Sequence, residues 1–427
     1  MERENLSLME ITQSVNSIAD NLLRISLDIG EGLLKSGAEI HRVEVTIEKI
    51  CHSYGAEHVE VFCINSLIVA AVRMPDGSYS SQSRRIFDIS NHLSALEKYN
   101  SLSREICSTT PDFDVVDEKI RKIKKRRPFP FWVILIGHML VAGSFAIFFG
   151  GSWRDAIAGG IISSVVALIN RVKVEYFTSI TKTLVLSFIS GILTCLSTII
   201  GLGENMDMIA IGIIMLLIPG IAIGNAMRDL LSGDTLTGVL KTVHAFVEAC
   251  MIAIGFALAI MILGKYCPEP ILYAHSELVR IMLGVLSSAG GTLGFALIFK
   301  ISKKHLAIAA FGGIFTYLTY ELVTFFGANL LVTAFGSALF MALFSETCAR
   351  IFRAPAIVFL FPCLIPIVPG SSLYYTMFNL IAQDQAACLL HLQSLGSTIL
   401  GIAMGLSIAT VTFGITIQII NKLKKQN

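Results

Sequence analysis

The chain has 427 residues, of which 54% are hydrophobic and only 15% are charged. A soluble globular protein carries roughly 25% charged residues, and a disordered chain is poor in hydrophobic ones, so this composition excludes both classes. The formal net charge of +2 gives no support for a nucleic-acid partner.

The charges are distributed unevenly along the chain. Residues 1–127 contain 36 Asp, Glu, Lys and Arg residues, whereas the remaining 300 residues contain 28. The first part has the charge density of a soluble domain and the second that of a membrane domain. Nine cysteines are scattered without a CxxC motif, so the sequence predicts neither a metal site nor a cofactor.

Residues 1–127 predict a cytoplasmic α+β domain. Apolar residues recur with helical spacing at Leu22, Ile25, Ile29 and Leu33. The predicted elements, in chain order, are a helix over 10–53 with a break near 35–37, a hairpin of 57–65 and 66–74, a third strand over 78–83, and a helix over 86–108.

The rest of the chain predicts an α-helical polytopic membrane protein. The basic run RKIKKRR at 121–127 precedes a long apolar stretch, so it predicts a cytoplasmic membrane anchor. Ten apolar segments follow, each near the ~20 residues that span hydrocarbon. They are 131–150, 154–170, 184–203, 207–227, 239–263, 277–299, 305–326, 329–348, 355–380 and 395–420.

The positive charges predict the orientation of these segments. With residues 1–127 inside, thirteen Lys and Arg residues of the membrane domain lie on the cytoplasmic side, and only Arg154, Lys265 and Arg280 lie outside. This bias is typical of multi-pass proteins of the cell membrane. It predicts an even number of spans with both termini in the cytoplasm.

An internal repeat relates the two halves of the membrane domain. The segment from Ile134 to Gly143 resembles that from Ile281 to Gly290, and Pro219-Gly220 corresponds to Pro369-Gly370. Since five spans is an odd number, the second copy enters the membrane from the opposite side. The sequence therefore predicts a 5+5 inverted repeat of residues 128–267 and 268–427, a plan typical of secondary transporters.

The Pro-Gly pairs are the first candidates for a substrate site. Proline and glycine within a span free backbone groups that can bind a charged substrate, although they also serve as simple kinks for packing. Polar residues follow each pair at matching distances, and they either line the pathway or cap helix ends. The candidate pathway residues are Pro219, Gly220, Asn225, Asp229, Asp234, Pro369, Gly370, Ser371, Asn379 and Asp384.

Ionisable residues within spans are candidates for proton coupling, because such groups are costly in hydrocarbon. The candidates are His244, Glu248, Glu321 and Glu346, with His244 and Glu248 on one helix face. Glu346 is alternatively an interfacial carboxylate near Arg350 and Arg353. His138 is either part of a pathway or a histidine bonded to a backbone carbonyl.

The segment LDIGEGLLKSGAEIHRVEVTIEKICHSYG (27–55) is similar to the N-terminal signature of the threonine/serine exporter (ThrE) family. RMPDG, the ten spans and the two Pro-Gly pairs agree with this resemblance, which covers nearly the whole chain. Gly37, Glu39, Arg42 and Glu44 match the signature. They form either a helix–turn with an Arg–Glu pair that holds the domain together, or a gating element.

The resemblance implies proton-driven export of threonine and serine by a single-chain form of an architecture that some relatives divide into two subunits. Those relatives are associated with succinate, so dicarboxylate export is a second possible function. The expected partners are the small-molecule substrate, protons and the lipid bilayer, and homo-oligomerisation stays open. A third hypothesis is a membrane-anchored hydrolase acting through the N-terminal domain, although no GxSxG motif is present. A fourth hypothesis is a scaffold without transport activity.

Overall fold

The computed structural model describes residues 2–87, 90–126, 128–172, 178–271, 273 and 276–426. Two compact units can be distinguished. Unit 1 contains residues 1–128 together with 228–239, and unit 2 contains residues 129–227 and 240–427.

Unit 1 has helices and a small sheet. Its elements are α1 (Glu2–Lys35), α2 (Ile40–Ser53), β1 (His58–Ile64), β2 (Leu67–Arg73), β3 (Tyr79–Arg85), α3 (Leu93–Thr109) and α4 (Phe113–Lys125). The strands form an antiparallel sheet in the order β1-β2-β3, with Phe62 opposite Val69. The predicted hairpin and third strand are confirmed.

Two helix boundaries in unit 1 have clear physical causes. The break predicted near residues 35–37 is confirmed: α1 ends at Lys35, and Gly37 has a φ of +96°, which favours glycine. The prediction that a helix begins at residue 86 is wrong. The main-chain N–H of Ile86 instead donates to Ser66, and α3 starts after His92, whose ring accepts a hydrogen bond from the Ala95 N–H.

The core of unit 1 forms around α1. The four apolar residues that predicted its inner face, Leu22, Ile25, Ile29 and Leu33, are all buried. On the opposite side, the Arg24 guanidinium donates to both carboxylate oxygens of Asp117, at 3.1 and 2.8 Å, and joins α1 to α4. Sequence periodicity did not predict α4, which follows α3 after only three residues.

All regular secondary structure in the described residues of unit 2 is helical. Its helices are α5 (Phe131–Phe148), α6 (Trp153–Arg171), α7 (Ser179–Ile199), α8 (Met206–Leu217), α9 (Gly220–Ser232), α10 (Thr235–Leu263), α11 (Glu277–Ile298), α12 (Leu306–Phe325), α13 (Leu330–Ile351), α14 (Ile357–Leu364), α15 (Gly370–Ile381) and α16 (Gln385–Gln426). The end of α9 and the start of α10 belong to unit 1.

Seven helices in the described part of the chain are long and apolar enough to cross a membrane. An eighth candidate is the pair Ile357–Ile367 and Gly370–Ile381, which is bent by 43°. Two of the ten predicted segments, 154–170 and 207–227, do not correspond to a helix that is long and apolar enough to cross a membrane. Polar residues occupy both ends of α6, and the second segment is divided into α8, of 12 residues, and α9.

Glycines allow several helices of unit 2 to approach closely. A Cβ atom on Gly294 of α11 would lie 2.7 Å from the Gly137 carbonyl oxygen of α5, and one on Gly137 would lie 2.9 Å from the Gly294 oxygen. Farther along the same pair, Gly290 faces Ser144. The two helices therefore run antiparallel with their backbones in contact, a packing that small residues permit in membranes.

Two further pairs resemble one another. On α10, Gly255 packs against Ser187 of α7, and Gly191 of α7 packs against Ala259. Similarly, α16 packs on α13 through Gly401 and Gly405, which face Ala334 and Ala338. In both pairs the residue numbers rise together, so α7 is parallel to α10 and α13 is parallel to α16.

We expect Gly294→Ala to destabilise the protein by about 1–3 kcal/mol, because the added methyl group would push on the backbone of Gly137. Gly396→Ala on α16 is the control, since a Cβ atom there meets nothing within 4 Å. Thermal unfolding of the purified protein in detergent measures both. Equal unfolding temperatures for the two variants would contradict the backbone contact between α5 and α11.

Candidate functional site

The two Pro-Gly pairs lie where helices are interrupted. At the first, α8 ends at Leu217 and α9 begins at Gly220. At the second, a 3-10 turn over Ile365–Ile367 ends the first half, and α15 begins at Gly370. The local hydrogen bonding is the same in both, because each glycine N–H donates over 2.8 Å to the carbonyl oxygen two residues earlier. Each interruption frees backbone groups from the regular helical pattern.

The two interruptions are in contact with each other. A Cβ atom on Gly370 would lie 2.4 Å from the Met215 sulfur of α8, and one on Gly220 would lie 3.8 Å from Ile365. These contacts are reciprocal, since Met215 precedes Gly220 by five residues, as Ile365 precedes Gly370. The predicted correspondence of the Pro-Gly pairs thus coincides with a crossing of the two broken helices.

Two of the predicted pathway residues close to the crossing in sequence are Asn225 and Ser371. Asn225 is buried on α9, and Ser371, directly after Gly370, is half-buried. Gly224, adjacent to Asn225, lies against the ring of Phe361. The crossing is therefore mostly apolar, with freed backbone groups and a few polar side chains.

The polar residues farther along have matching backbone geometry. The Asp234 N–H donates to the Asp229 carbonyl oxygen at 2.9 Å, and the Asp384 N–H donates to that of Asn379 at 3.0 Å. The Asp384 carboxylate also accepts from the Ala387 N–H at 3.0 Å. Capping of a helix, one of the two roles considered for these residues, is thus observed at Asp384, which precedes α16.

Asp229 has a side-chain partner at the start of α2. Its side chain is 1% exposed, and its Oδ1 accepts a hydrogen bond from the backbone N–H of Ile40, the first residue of α2, at 3.3 Å. Both residues belong to unit 1. The carboxylate therefore lies at the positive end of the α2 dipole.

The signature residues surround the start of α2. Gly37 forms the preceding turn, and Glu39 directly precedes the helix. The Arg–Glu pair stays a prediction: Arg42 donates to the Asn100 side chain at 3.2 Å, and Glu44 accepts from the Cys63 N–H at 2.9 Å. Residues two apart on a helix point in different directions, so Arg42 and Glu44 have different neighbours.

Glu44 is an ionisable group of this segment whose pKa is shifted. Burial raises the pKa of its carboxyl group, and the nearby negative charge of Asp234 raises it further, while the bond from Cys63 opposes the change. At neutral pH the ionised carboxylate therefore costs folding free energy.

The predicted proton-coupling residues have distinct surroundings. On α10, the His244 Nδ1 lies 3.7 Å from the Glu248 carboxylate, which also accepts a hydrogen bond from Ser179 of α7 at 2.9 Å. Glu321 of α12 is bound by both nitrogens of the Arg280 guanidinium, at 2.9 and 3.0 Å. The structure does not bring these two carboxylates into contact among the described residues.

Glu346 and His138 complete the set of ionisable residues predicted within spans. Glu346 is half-buried on α13, one turn before Arg350, whose guanidinium lies 5.1 Å from the Phe413 ring centre. The His138 Nδ1 lies 2.8 Å from the Ile134 carbonyl oxygen. Of the two roles considered for His138, the carbonyl-bonded one is the role observed.

Sequence reasoning missed the contact between Asp207 and Tyr374. The Tyr374 hydroxyl, on α15, donates to the Asp207 carboxylate, in the first turn of α8, at 2.6 Å. Asp207 was the first residue of the predicted span 207–227, where an acidic residue is usually interfacial. The sequence feature that could have pointed to Asp207 is an acidic side chain in an otherwise apolar segment. No sequence feature pointed to Tyr374.

The sequence matches two family models of threonine/serine exporters. Residues 24–263 match the ThrE model, and residues 284–418 match ThrE_2, "Threonine/Serine exporter, ThrE". No solved structure matches the chain.

Curated relatives have related names. The chain is 21% identical over 380 residues to the "Probable threonine/serine exporter" of Mycobacterium tuberculosis, covering 85% of this chain and 70% of the relative. It is 21% identical over 398 residues to the "Threonine/serine exporter" of Corynebacterium glutamicum, covering 87% and 78%. The "Probable succinate transporter subunit YjjP" of Escherichia coli is 22% identical over 247 residues, covering 56% and 94%.

The crossing of the broken helices can be tested by cross-linking. In a background without the nine native cysteines, we expect Met215→Cys with Gly370→Cys to form a disulfide, because a Cβ atom at 370 lies 3.4 Å from the Met215 Cγ. A protease site inserted beside Glu269 would leave the two fragments joined until a reductant is added. Met215→Cys with Gly414→Cys is the control pair, and fragments that separate without reductant in the test pair would contradict the crossing.

The raised pKa of Glu44 predicts a pH-dependent effect of Glu44→Gln. A carboxyl group with a raised pKa in the folded state contributes stability below its unfolded pKa, about 4.3, and loses that contribution as pH rises through the folded pKa. We therefore expect the variant to unfold at a higher temperature than the wild type at pH 7.5, with a difference that shrinks toward pH 4.5.

Thermal unfolding of the full chain across this pH range measures the effect. Glu60→Gln, exposed on β1, is the control for the loss of one carboxylate. A Glu44→Gln protein that unfolds earlier than the wild type at pH 7.5 would show that the bond to Cys63 outweighs the cost of burial.

Proposed function

Because the chain belongs to the threonine/serine exporter family, we propose that it exports threonine and serine across the cytoplasmic membrane, driven by the proton gradient. Family membership identifies a membrane transporter rather than an enzyme, and the apolar helices agree with a multi-pass protein. The observation that carries the proposal is the reciprocal contact between the two broken helices, since secondary transporters commonly bind substrate where discontinuous helices meet.

We propose ten spans, arranged as a 5+5 inverted repeat of residues 128–267 and 268–427 after a cytoplasmic domain of residues 1–127. In this arrangement α6 and the broken pair α8–α9 also cross the membrane. The antiparallel contact of α5 with α11 supports an inversion. The parallel pairs α7–α10 and α13–α16 support equivalent halves, since Ser187 and Ala334 lie 147 residues apart, as do Gly143 and Gly290.

The proposed substrate site is the crossing of the broken helices. Helices α9 and α15 begin at this crossing. The partial positive charge at a helix N-terminus attracts a carboxylate. Asn225 and Ser371 supply polar side chains for the hydroxyl group of threonine or serine. The sequence positions of Asp229, Asp234, Asn379 and Asp384 assign them to the two ends of the pathway.

His244 and Glu248 are the proposed cytoplasmic part of the proton pathway. Their 3.7 Å separation and the contact from Ser179 support a site where a proton is shared. Glu321 was a further candidate, but its bidentate pair with Arg280 favours a structural role. Glu346 stays a candidate at the cytoplasmic end of α13.

The N-terminal domain is the proposed gating element. Residues 228–239 belong to the same compact unit as the signature, and Asp229 accepts a hydrogen bond from the start of α2. A movement of residues 228–239 during transport would therefore change a contact of the signature segment. This supports a regulatory role in addition to a structural one.

Dicarboxylate export is the second candidate function. It is favoured by the similarity to the Escherichia coli protein named as a succinate transporter subunit, which covers 56% of this chain. A site built from helix N-termini would accept either substrate by its carboxylate group.

Substrate-resolved efflux distinguishes these candidates. We expect proteoliposomes that contain the purified protein to release radiolabelled threonine and serine, but not succinate, when a pH gradient is imposed. Glu248→Gln should abolish gradient-driven efflux and leave the unfolding temperature unchanged, whereas the exposed Glu269→Gln should transport normally. Normal efflux by Glu248→Gln would remove that residue from the pathway, and release of succinate alone would favour the second candidate.

A further inference from the structure

The carboxylates of unit 2 differ in what compensates their charge. Asp155, fully buried on α6, accepts hydrogen bonds from the backbone N–H groups of Glu204 and Asn205 at 2.7 and 2.8 Å. Glu321 is held by the Arg280 guanidinium. These two groups have satisfied, structural roles, because charge-assisted hydrogen bonds stabilise their ionised forms.

Asp207 has a different environment. Its carboxylate accepts a hydrogen bond from the hydroxyl of Tyr374, a side chain with no exposed surface, and in the described part of the chain no Lys, Arg or His lies within 4 Å of that carboxylate. A carboxylate in an apolar segment without a cation is costly, so a positively charged group or a proton is expected to bind it.

The titratable groups around this contact do not supply a positive charge at Asp207. On α15, Tyr375 follows Tyr374 and stacks on His391 of α16 at 5.2 Å. On α7, the Cys195 sulfur lies 3.7 Å from the sulfur of Met206, which precedes Asp207. Three further titratable groups lie in this region. Cys267 lies near Cys195, Asp155 lies on α6, and Glu204 is paired with Arg154.

The contact joins the two halves of the proposed repeat, and the pair of residues matched to it by the repeat does not reproduce it. In the correspondence defined by Pro219-Gly220 and Pro369-Gly370, Asp207 matches Ile357 and Tyr374 matches Gly224. The matched place is therefore apolar, and Gly224 lies there against Phe361. By the proposed orientation, Asp207 is on the outer side of the crossing.

We propose that Asp207 is the group at which an external proton replaces the ammonium group of the departing amino acid, with Tyr374 as its positioning residue. This inference rests on the proposed function as an amino-acid exporter. The carboxylate binds one positive charge at a time, either the substrate ammonium or a proton delivered by external water. The proton binds a carboxylate oxygen, and the substrate leaves with its own ammonium protons.

The proposal predicts competition between protons and substrate. The measurement is exchange of radiolabelled threonine in proteoliposomes at different external pH values. Once the external pH is low enough for Asp207 to bind protons, we expect the external KM for threonine to rise roughly tenfold for each further unit by which the pH falls, while the maximal rate stays constant. Asp207→Asn should raise the KM at least about tenfold at pH 8 and remove its pH dependence.

Three further variants complete the test. Asp207→Glu should retain the pH-dependent KM, and Tyr374→Phe should retain exchange with a displaced pH profile. Glu277→Gln, which removes a carboxylate from the first turn of α11, should behave as the wild type.

The outcomes separate this inference from the function on which it rests. A wild-type protein that exchanges neither threonine nor serine would overturn the proposed function. Active wild type together with an Asp207→Asn protein of unchanged KM and pH profile would overturn the role of Asp207 alone. If Asp207→Asn does not fold, a Tyr374→Phe protein whose KM and pH profile match those of the wild type would overturn it instead.

Discussion

A helix that is interrupted within hydrocarbon must have its freed backbone groups covered by protein, because lipid offers them no hydrogen bonds. Unit 2 contains two interrupted helices, at Pro219-Gly220 and Pro369-Gly370, and each interruption lies against the helix that contains the other. Each broken helix thus supplies part of the cover for the interruption in the other.

The surrounding helices hold the crossing in place through close backbone contacts. Gly294 and Gly137 bring α11 against α5. Gly255 and Gly401 permit the same close packing in the parallel pairs α7–α10 and α13–α16. Between lipid-exposed helices there is no hydrophobic driving force, so packing at small residues supplies much of the association. Glycine at these positions therefore determines the architecture more directly than the large apolar residues do.

The sequence predicted the parts of the structure that depend on local pattern. The hairpin of β1 and β2, the break at Gly37 and the buried face of α1 followed from alternation, turn residues and helical spacing. The start of α3 and the partner of Arg42 were missed, because Ile86 bonds to Ser66 and Arg42 bonds to Asn100, which are contacts between segments distant in the chain. Asp207 was missed for the same reason, since only the fold brings Tyr374 to it.

The hydrogen bond between Ile40 and Asp229 joins the main-chain N–H of Ile40 to the side-chain carboxylate of Asp229. A substitution at position 40 leaves the N–H donor in place unless it introduces proline, so genetic variation can remove the bond almost solely by changing residue 229. Asn379, the position that the proposed repeat matches to Asp229, follows the same backbone turn but carries an uncharged amide. An acidic side chain therefore occupies the position that accepts the N–H at the start of α2, and an amide occupies its proposed match.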